Sequence, residues 1–389
     1  MIINSLLDTD LYTFSVMNVA LHQFSTTNVE YTFKCRNKAK FTEAMIVDIN
    51  TEVDHFCTLQ FTEDELNYLS SIRFFKPDFI DFLRLYKPNR KHINISAGKN
   101  NVPEITVKGS WYLTVMFEVP VLAIVNEVYF RHITANGGME KIYNSGVKRL
   151  EEKYEAISKT GFQFSDFGTR RRLSHNWQEE VIIKLKNLPN FTGTSNVYFA
   201  KKYDLVPIGT MSHQMIQVGA GQNDVPLIKS QQKMLQSWVD EYRGDLGIAL
   251  SDTYGVDAFL RDFDLYFAKL YDGVRHDSGD PLEWADKIIT HYEDMGIDPM
   301  TKTLVFSDGL TVDKATEIWT MLDGRAKIAF GIGTHLTNDF KGLTPLQIVM
   351  KITTCNGRPV AKVSDSPGKG MCHDDHYLTY LKDVFKIKE

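Results

Sequence analysis

Gly273-Val274-Arg275-His276-Asp277-Ser278-Gly279-Asp280 starts as a short apolar strand and ends in charge, small residues and a turn. The same grammar recurs on either side. Val197-Tyr198-Phe199-Ala200 follows Gly193-Thr194-Ser195-Asn196, and Ile208 leads into Gly209-Thr210-Met211-Ser212-His213. Ile248-Ala249-Leu250 ends in Ser251-Asp252-Thr253-Tyr254, and Leu304-Val305-Phe306 ends in Ser307-Asp308-Gly309. Ala329-Phe330 ends in Gly331-Ile332-Gly333-Thr334. Helical stretches separate these segments from about residue 116 onward. Buried strands with polar C-terminal tips, alternating with helices, are what a parallel α/β barrel produces. A doubly wound sheet alternates in a similar way, but it collects chemistry at one or two tips rather than at many. The fold expected is therefore an α/β barrel.

Outside that region the texture differs. Phe14, Met17, Leu21 and Phe24 recur at three- and four-residue steps and predict an N-terminal helix, with Asp8 or Thr9 as its cap. Tyr12 falls off that stripe. Tyr31, Phe33 and Cys35 alternate with Thr32, Lys34 and Arg36, as on a strand with one buried face. Residues 41–90 read as mostly helical and residues 92–110 as short strands and turns.

Composition bounds the rest. The chain has 389 residues, 43% of them hydrophobic and 24% charged, with a net charge of -5. That is ordinary for a globular protein and long enough for a large core. The charge gives no global positive field for nucleic acid, so no nucleic-acid partner is expected. The four cysteines, Cys35, Cys57, Cys355 and Cys372, form no CxxC pair and fit a reducing cytoplasm. The N-terminus lacks a basic region and a small-residue cleavage site, so no signal peptide is expected. Trp111 to Phe130 is the most apolar stretch, but Glu118, Pro120, Asn126 and Glu127 make it a poor membrane span and a better core segment.

Four motifs carry chemistry. His213 sits at a strand tip between small residues; imidazole can act there as base, nucleophile or phosphoryl acceptor. Asp252, at a neighbouring tip, is the candidate to fix its tautomer. A lone histidine is also commonly structural. Phe167-Gly168-Thr169-Arg170-Arg171-Arg172 offers guanidinium forks and an aromatic face, for phosphate and a flat anionic ring. Three arginines in a row more often form a solvated charged face. Arg275 and Asp277, two apart at a strand end, can face one cavity, with the arginine on phosphate and the aspartate on a sugar hydroxyl or Mg2+; an internal ion pair in a charged turn is the alternative. Gly331, Gly333 and Thr334 let backbone N–H groups approach an anion, although a barrel also uses glycine for packing. There is no GxxxxGK[ST], so any ATP site is not a P-loop.

Together these segments resemble the nicotinate phosphoribosyltransferase family. The resemblance rests on Leu6-Leu7-Asp8-Thr9-Asp10-Leu11-Tyr12, Tyr31-Thr32-Phe33-Lys34-Cys35-Arg36, the Phe167–Arg172 run, Gly209–His213 and Arg275–Asp280. They stand in that family's order and cover nearly the whole chain. The resemblance implies an irregular α/β barrel with a second, smaller α+β domain built from N- and C-terminal segments. On this chain the smaller domain takes residues 1–115 joined by 345–389, and the barrel takes 116–344. It also implies a homodimer with shared active sites, in the cytoplasm and with no membrane partner.

The implied reaction joins nicotinate to phosphoribosyl pyrophosphate (PRPP), giving nicotinate mononucleotide and pyrophosphate in NAD biosynthesis and salvage. ATP is the co-substrate, phosphorylating the histidine that matches His213, and Mg2+ accompanies PRPP, with its ligands unassigned. Phe167 would stack on the pyridine ring, with Tyr12 from the partner subunit opposite. Arg170 and Arg275 would hold carboxylate or phosphates, Asp277 would lie near the ribose, and Arg36 would reach phosphate across the interface. Gly331, Gly333 and Thr334 would line the 5′-phosphate site.

Two positions set this chain apart. Gln214 stands where glutamate commonly follows the histidine. Ser195 stands where the related nicotinamide phosphoribosyltransferase carries an acidic residue; a hydroxyl can donate to a carboxylate, so it favours the acid over the amide. The alternatives are nicotinamide phosphoribosyltransferase and a non-catalytic phosphate-sensing barrel.

Overall fold

The computed structural model describes residues 1–135, 139–366 and 368–387. In chain order its strands are β1 (Asn28–Cys35), β2 (Ile93–Ala97), β3 (Pro103–Ser110), β4 (Gln163–Asp166), β5 (Phe191–Thr194) and β6 (Ile248–Leu250). They continue with β7 (Gly273–His276), β8 (Thr303–Phe306), β9 (Lys327–Ile332), β10 (Ile348–Cys355) and β11 (Arg358–Pro359).

β4 to β9 form a six-stranded sheet in the order β5-β4-β9-β8-β7-β6, and every neighbouring pair is parallel. The last of these strands in the chain, β9, pairs with the first, β4. A sheet whose last strand returns to its first is curling into a barrel, and β5 and β6 flank the one side left open. The barrel is irregular because the chain between them forms no regular strand. Pro207 makes a single parallel bridge to Thr194, and Gly209–Ser212 stays non-repetitive before the helix His213–Ala220. Ile208 therefore does not lead a strand into His213. Val197–Lys202 is also not a strand but a short helix, capped by the Asn196 side chain on the Phe199 N–H. The true strand is the preceding Phe191–Thr194, whose polar threonines and glycine hide it from a hydrophobicity reading.

The second sheet is antiparallel, in the order β11-β10-β1-β3-β2. Its central pairing joins the two ends of the chain: Tyr31 faces Ile352 and Phe33 faces Met350 across β1 and β10. This is the smaller α+β unit, built from N- and C-terminal segments. Tyr31 and Phe33 are buried while Lys34 is exposed, as alternation requires. Residues 43–85 supply three helices, Glu43–Phe56, Glu63–Ser71 and Pro77–Leu85. Thr42 and Thr62 each cap a helix by accepting from the third helical N–H.

The first helix runs Leu11–Gln23, and its N-cap is Asp10 rather than Asp8 or Thr9. Both expected caps are engaged elsewhere. Asp8 takes a two-pronged bond from Arg172, at 2.6 and 2.7 Å, and Thr9 pairs its hydroxyl with Thr13. The helix is buried on nearly every side, so its single stripe understates its burial. Trp111–Thr134 is a continuous helical run, long and apolar enough for a membrane by composition, but mostly buried inside the protein. It passes straight across residue 115, where the two units were expected to divide.

Candidate active site

The strand tips converge on two adjoining cavities. The outer one, of about 340 Å3, opens at the barrel mouth. Arg36, Arg171, Lys362 and Lys369 line it together with Asp308 and Thr334. The inner one, of about 110 Å3, lies deeper, between Tyr12, Ile208 and Val305, with Asp10, Glu118 and Ser195 in its wall. Phe167, Arg170, His213, Arg275, Asp277 and Lys351 border both. These six mark the junction where a group held in one cavity meets a group held in the other.

His213 begins its helix and is only 4% exposed. Its Nε2 lies 2.9 Å from Asp252 Oδ1. A carboxylate accepts, so Nε2 carries the proton and Nδ1 keeps the lone pair. Burial pushes the imidazole down to about 3, helped by the Lys362 charge and opposed by Asp252. The ring is thus neutral at ordinary pH, which suits a nucleophile. Asp252 is buried too; burial alone would raise it, but Lys362 at 2.8 Å and His213 hold it well below the usual carboxylate range. Ser278 donates to its second oxygen at 2.7 Å.

Arg275 and Asp277 sit at the end of β7, two residues apart and on one side, and both border the two cavities. Burial would raise Asp277, but the Arg275 charge holds it below the carboxylate range. Arg275 Nε is buried without a hydrogen-bond partner, as are the Arg36 Nε and the Tyr12 hydroxyl. Unsatisfied donors facing a cavity are where a ligand gains most.

The arginine run divides three ways. Arg170 borders both cavities, Arg171 lines the outer one, and Arg172 is fully buried against Asp8. It is not a solvated face. Burial would raise the Asp8 carboxyl, and Arg172 overrides that to hold it well below the carboxylate range. Arg172 is thus structural, fastening the segment before the first helix to the barrel.

Tyr12 and Arg36 line the cavities of their own chain. Two expected placements change. Gly331 lies inside β9 rather than in a phosphate loop. A Cβ there would stand 2.3 Å from the Phe167 ring, so the glycine makes room for the aromatic face. Gly333 and Thr334 do line the outer cavity. The Ser195 hydroxyl donates to Asp10 Oδ1 at 2.7 Å, so it is not free to greet a ligand carboxylate.

Other residues at the site had no legible signal. Lys351, on β10, and Lys362 and Lys369, beyond it, come from a C-terminal stretch without a motif. Lys369 pairs with Asp308, and the Arg36 guanidinium donates to the Lys369 carbonyl at 2.8 Å. Lys351 is drawn down to about 8 by burial, with Glu118 opposing. The Asp308 tip was visible as a tip only. Asp10 is buried in the inner wall, and burial raises its carboxyl.

Comparison with known proteins bears on this geometry. The sequence pattern described as the Nicotinate phosphoribosyltransferase (NAPRTase) family matches residues 162–389, and that of its N-terminal domain matches residues 7–126. The chain belongs to the nicotinate phosphoribosyltransferase family. It is 50% identical to the nicotinate phosphoribosyltransferase of Ralstonia nicotianae and 52% identical to that of Cupriavidus necator. The match covers 100% of this chain in both, and 100% and 99% of those proteins respectively. The crystal structure of the Porphyromonas gingivalis nicotinate phosphoribosyltransferase superposes with a TM-score of 0.92 at 34% identity, covering 99% of this chain and 100% of that one. The Vibrio cholerae structure gives 0.92 at 38% identity, covering 100% and 95%. The fold is that of these enzymes, and membership makes this chain a phosphoribosyltransferase.

Proposed function

We propose that this chain joins nicotinate to PRPP, releasing pyrophosphate, and that ATP drives the reaction through phosphorylation of His213. The observation that carries this reading is the junction. A narrow cavity with aromatic walls meets a wide cationic one at His213, Arg275 and Asp277. A flat base in the first and a phosphorylated sugar in the second would bring ring nitrogen and anomeric carbon together there.

In this reading the pyridine ring lies against Phe167 and Tyr12, and its carboxylate faces Arg170. Arg36, the Gly333-Thr334 backbone and the lysines of the C-terminal stretch take the phosphates. The ring nitrogen's lone pair forms the bond to the anomeric carbon as the bond to pyrophosphate breaks, with that electron pair leaving on the pyrophosphate oxygen. Asp277 faces the positive charge that develops on the sugar. The protein contributes mostly position and charge. In the coupled half-reaction, His213 Nδ1 attacks the ATP γ-phosphorus and ADP leaves. Water later takes the phosphoryl group from the histidine, releasing inorganic phosphate.

Mg2+ fits this donor set. His213, Asp252 and Asp277 present ligand atoms within 4.8 Å of one another. Asp252 is already paired with Lys362 and Ser278, so Asp277 with water would hold the ion. When bound, Mg2+ would neutralise diphosphate charge. The shared homodimeric site also remains a proposal, and the cavities here are lined from one chain.

A second reading, with nicotinamide as the base, is favoured by one observation: Asp10 holds the Ser195 hydroxyl and puts a carboxyl group in the inner wall. The deciding measurement supplies ATP, PRPP and either base, and follows mononucleotide and ADP. Product from nicotinate is expected, and product from nicotinamide alone would overturn the assignment. His213→Ala should abolish ATP-coupled stimulation while sparing some PRPP-driven turnover. ATP hydrolysis still coupled to synthesis in that variant would remove His213 from the role.

A further inference from the structure

Gln214 lines neither cavity, yet it is 3% exposed and makes three side-chain hydrogen bonds. Its Oε1 lies 2.9 Å from Trp111 Nε1 and 2.7 Å from the Tyr31 hydroxyl. An indole N–H can only donate, so this end of the amide must be the oxygen. The other end is then the NH2 group, which donates to Glu118 Oε2 at 3.0 Å. The remaining Glu118 oxygen, Oε1, faces Lys351 Nζ at 3.6 Å. Glu118 lines the inner cavity, and Lys351 stands at the junction.

We infer that Gln214 is a positioning residue for the inner cavity: its amide fixes the Glu118 carboxylate as an acceptor, and so sets where the Lys351 cation stands against an anionic base. The chain of contact runs from the helix that carries His213, through the amide, to the paired ends of the antiparallel sheet. Tyr31 comes from β1, Lys351 from β10, and Trp111 and Glu118 from the long helical run. No mobile surface group takes part. The charged and titratable groups around Glu118 are Lys351, Arg170, Tyr12, Asp10 and Tyr31. An amide next to them donates at every pH. A carboxyl in its place would donate only while protonated, because two carboxylates about 3 Å apart share one proton.

That difference supplies the test, which rests on the inner cavity being the base site. Gln214→Met keeps the volume and removes both ends of the amide. Gln214→Glu keeps the acceptor for Tyr31 and Trp111 and makes the donor depend on pH. The double variant Glu118→Gln with Gln214→Glu restores the hydrogen bond but moves the charge away from Lys351. Initial rates with nicotinate and PRPP are measured between about pH 6 and pH 8.5. In Gln214→Met the KM for nicotinate should rise about tenfold at every pH, with a smaller change in kcat. In Gln214→Glu it should rise similarly at pH 8 and return to within about twofold of the parent at pH 6. The double variant should keep the raised KM throughout.

A parental KM at pH 8 in Gln214→Glu overturns the inference, and so does a loss there that does not change with pH, since a packing role predicts no such recovery. If a single variant fails to fold, a folded double variant with parental KM overturns it equally. Phe167→Ala separates the two failures. If it leaves the nicotinate KM unchanged, the base-site reading is wrong. If it raises that KM while the Gln214 variants do not, only the positioning role falls.

Discussion

The two cavities differ in how they handle charge. The outer one holds two of its cations, Arg36 and Lys369, on partly exposed side chains, with Lys369 tethered to Asp308, while Lys362 beside them is buried against Asp252. Partly exposed groups can follow a polyphosphate, and each is screened by water. Beyond the groups it shares with the outer one, the inner cavity holds its carboxyls in buried pairings: Asp10 with Ser195, and Glu118 with Gln214 and Lys351. There, low dielectric makes each pairing count for more and forbids slack. On the proposed function, the first would make many weak contacts with a highly charged ligand and the second would select one shape and one charge.

Three measurements can break that contrast. Phe167→Ala should do most. It removes the aromatic wall that Gly331 makes room for, costing about 2 kcal/mol, or roughly a thirtyfold rise in the KM for nicotinate. The KM for PRPP should move little; an equal rise in both would mean that the cavities do not act separately. Arg36→Ala should show the reverse at smaller size. Losing one phosphate-facing guanidinium costs about 1.4 kcal/mol, roughly tenfold in the KM for PRPP, with the nicotinate KM nearly constant. Steady-state kinetics at low and high salt should show this second effect shrinking with salt and the first one unchanged.

The smallest effect is on pH. Lys351 is drawn down to about 8, so its cation is present below that value and is lost as pH rises through it. Binding of anionic substrate should weaken above pH 8, and KM should rise about twofold between pH 7 and pH 8. Lys351→Arg keeps its charge in this range and should flatten that limb; a limb unchanged by the substitution would assign it to another group.

Much of the barrel could be read because its chemistry follows its strands. β6, β7 and β8 are short strands with polar ends, and Arg275 and Asp277 stand at or just past such a tip, whereas His213 opens a helix after a stretch with no regular strand. β5 is hidden in the sequence because Phe191–Thr194 carries no apolar run, and Val197–Lys202 mimics a strand because this short helix opens on an apolar run. Helix and strand share an apolar signature over four residues, and only pairing separates them. Gly331 was given a ligand role that belongs to its packing. In a sequence a glycine shows only the side chain it lacks, not the Phe167 ring that fills the space.

The lysines at 351, 362 and 369 were illegible for a different reason. They lie on or beyond a strand whose partner, β1, is more than 300 residues earlier in the chain, and nothing local marks them as facing a cavity. Residue pattern by itself determined an α/β barrel and several of the groups at its mouth, because local residue type sets both strand propensity and the chemistry of a tip; the reaction class came from the likeness of whole motifs to a known family. Tertiary structure alone decided what the Ser195 hydroxyl is bonded to, and that Gln214, Glu118 and Lys351 form one buried set. Those facts depend on distances between segments far apart in the chain, and packing, not local preference, fixes such distances.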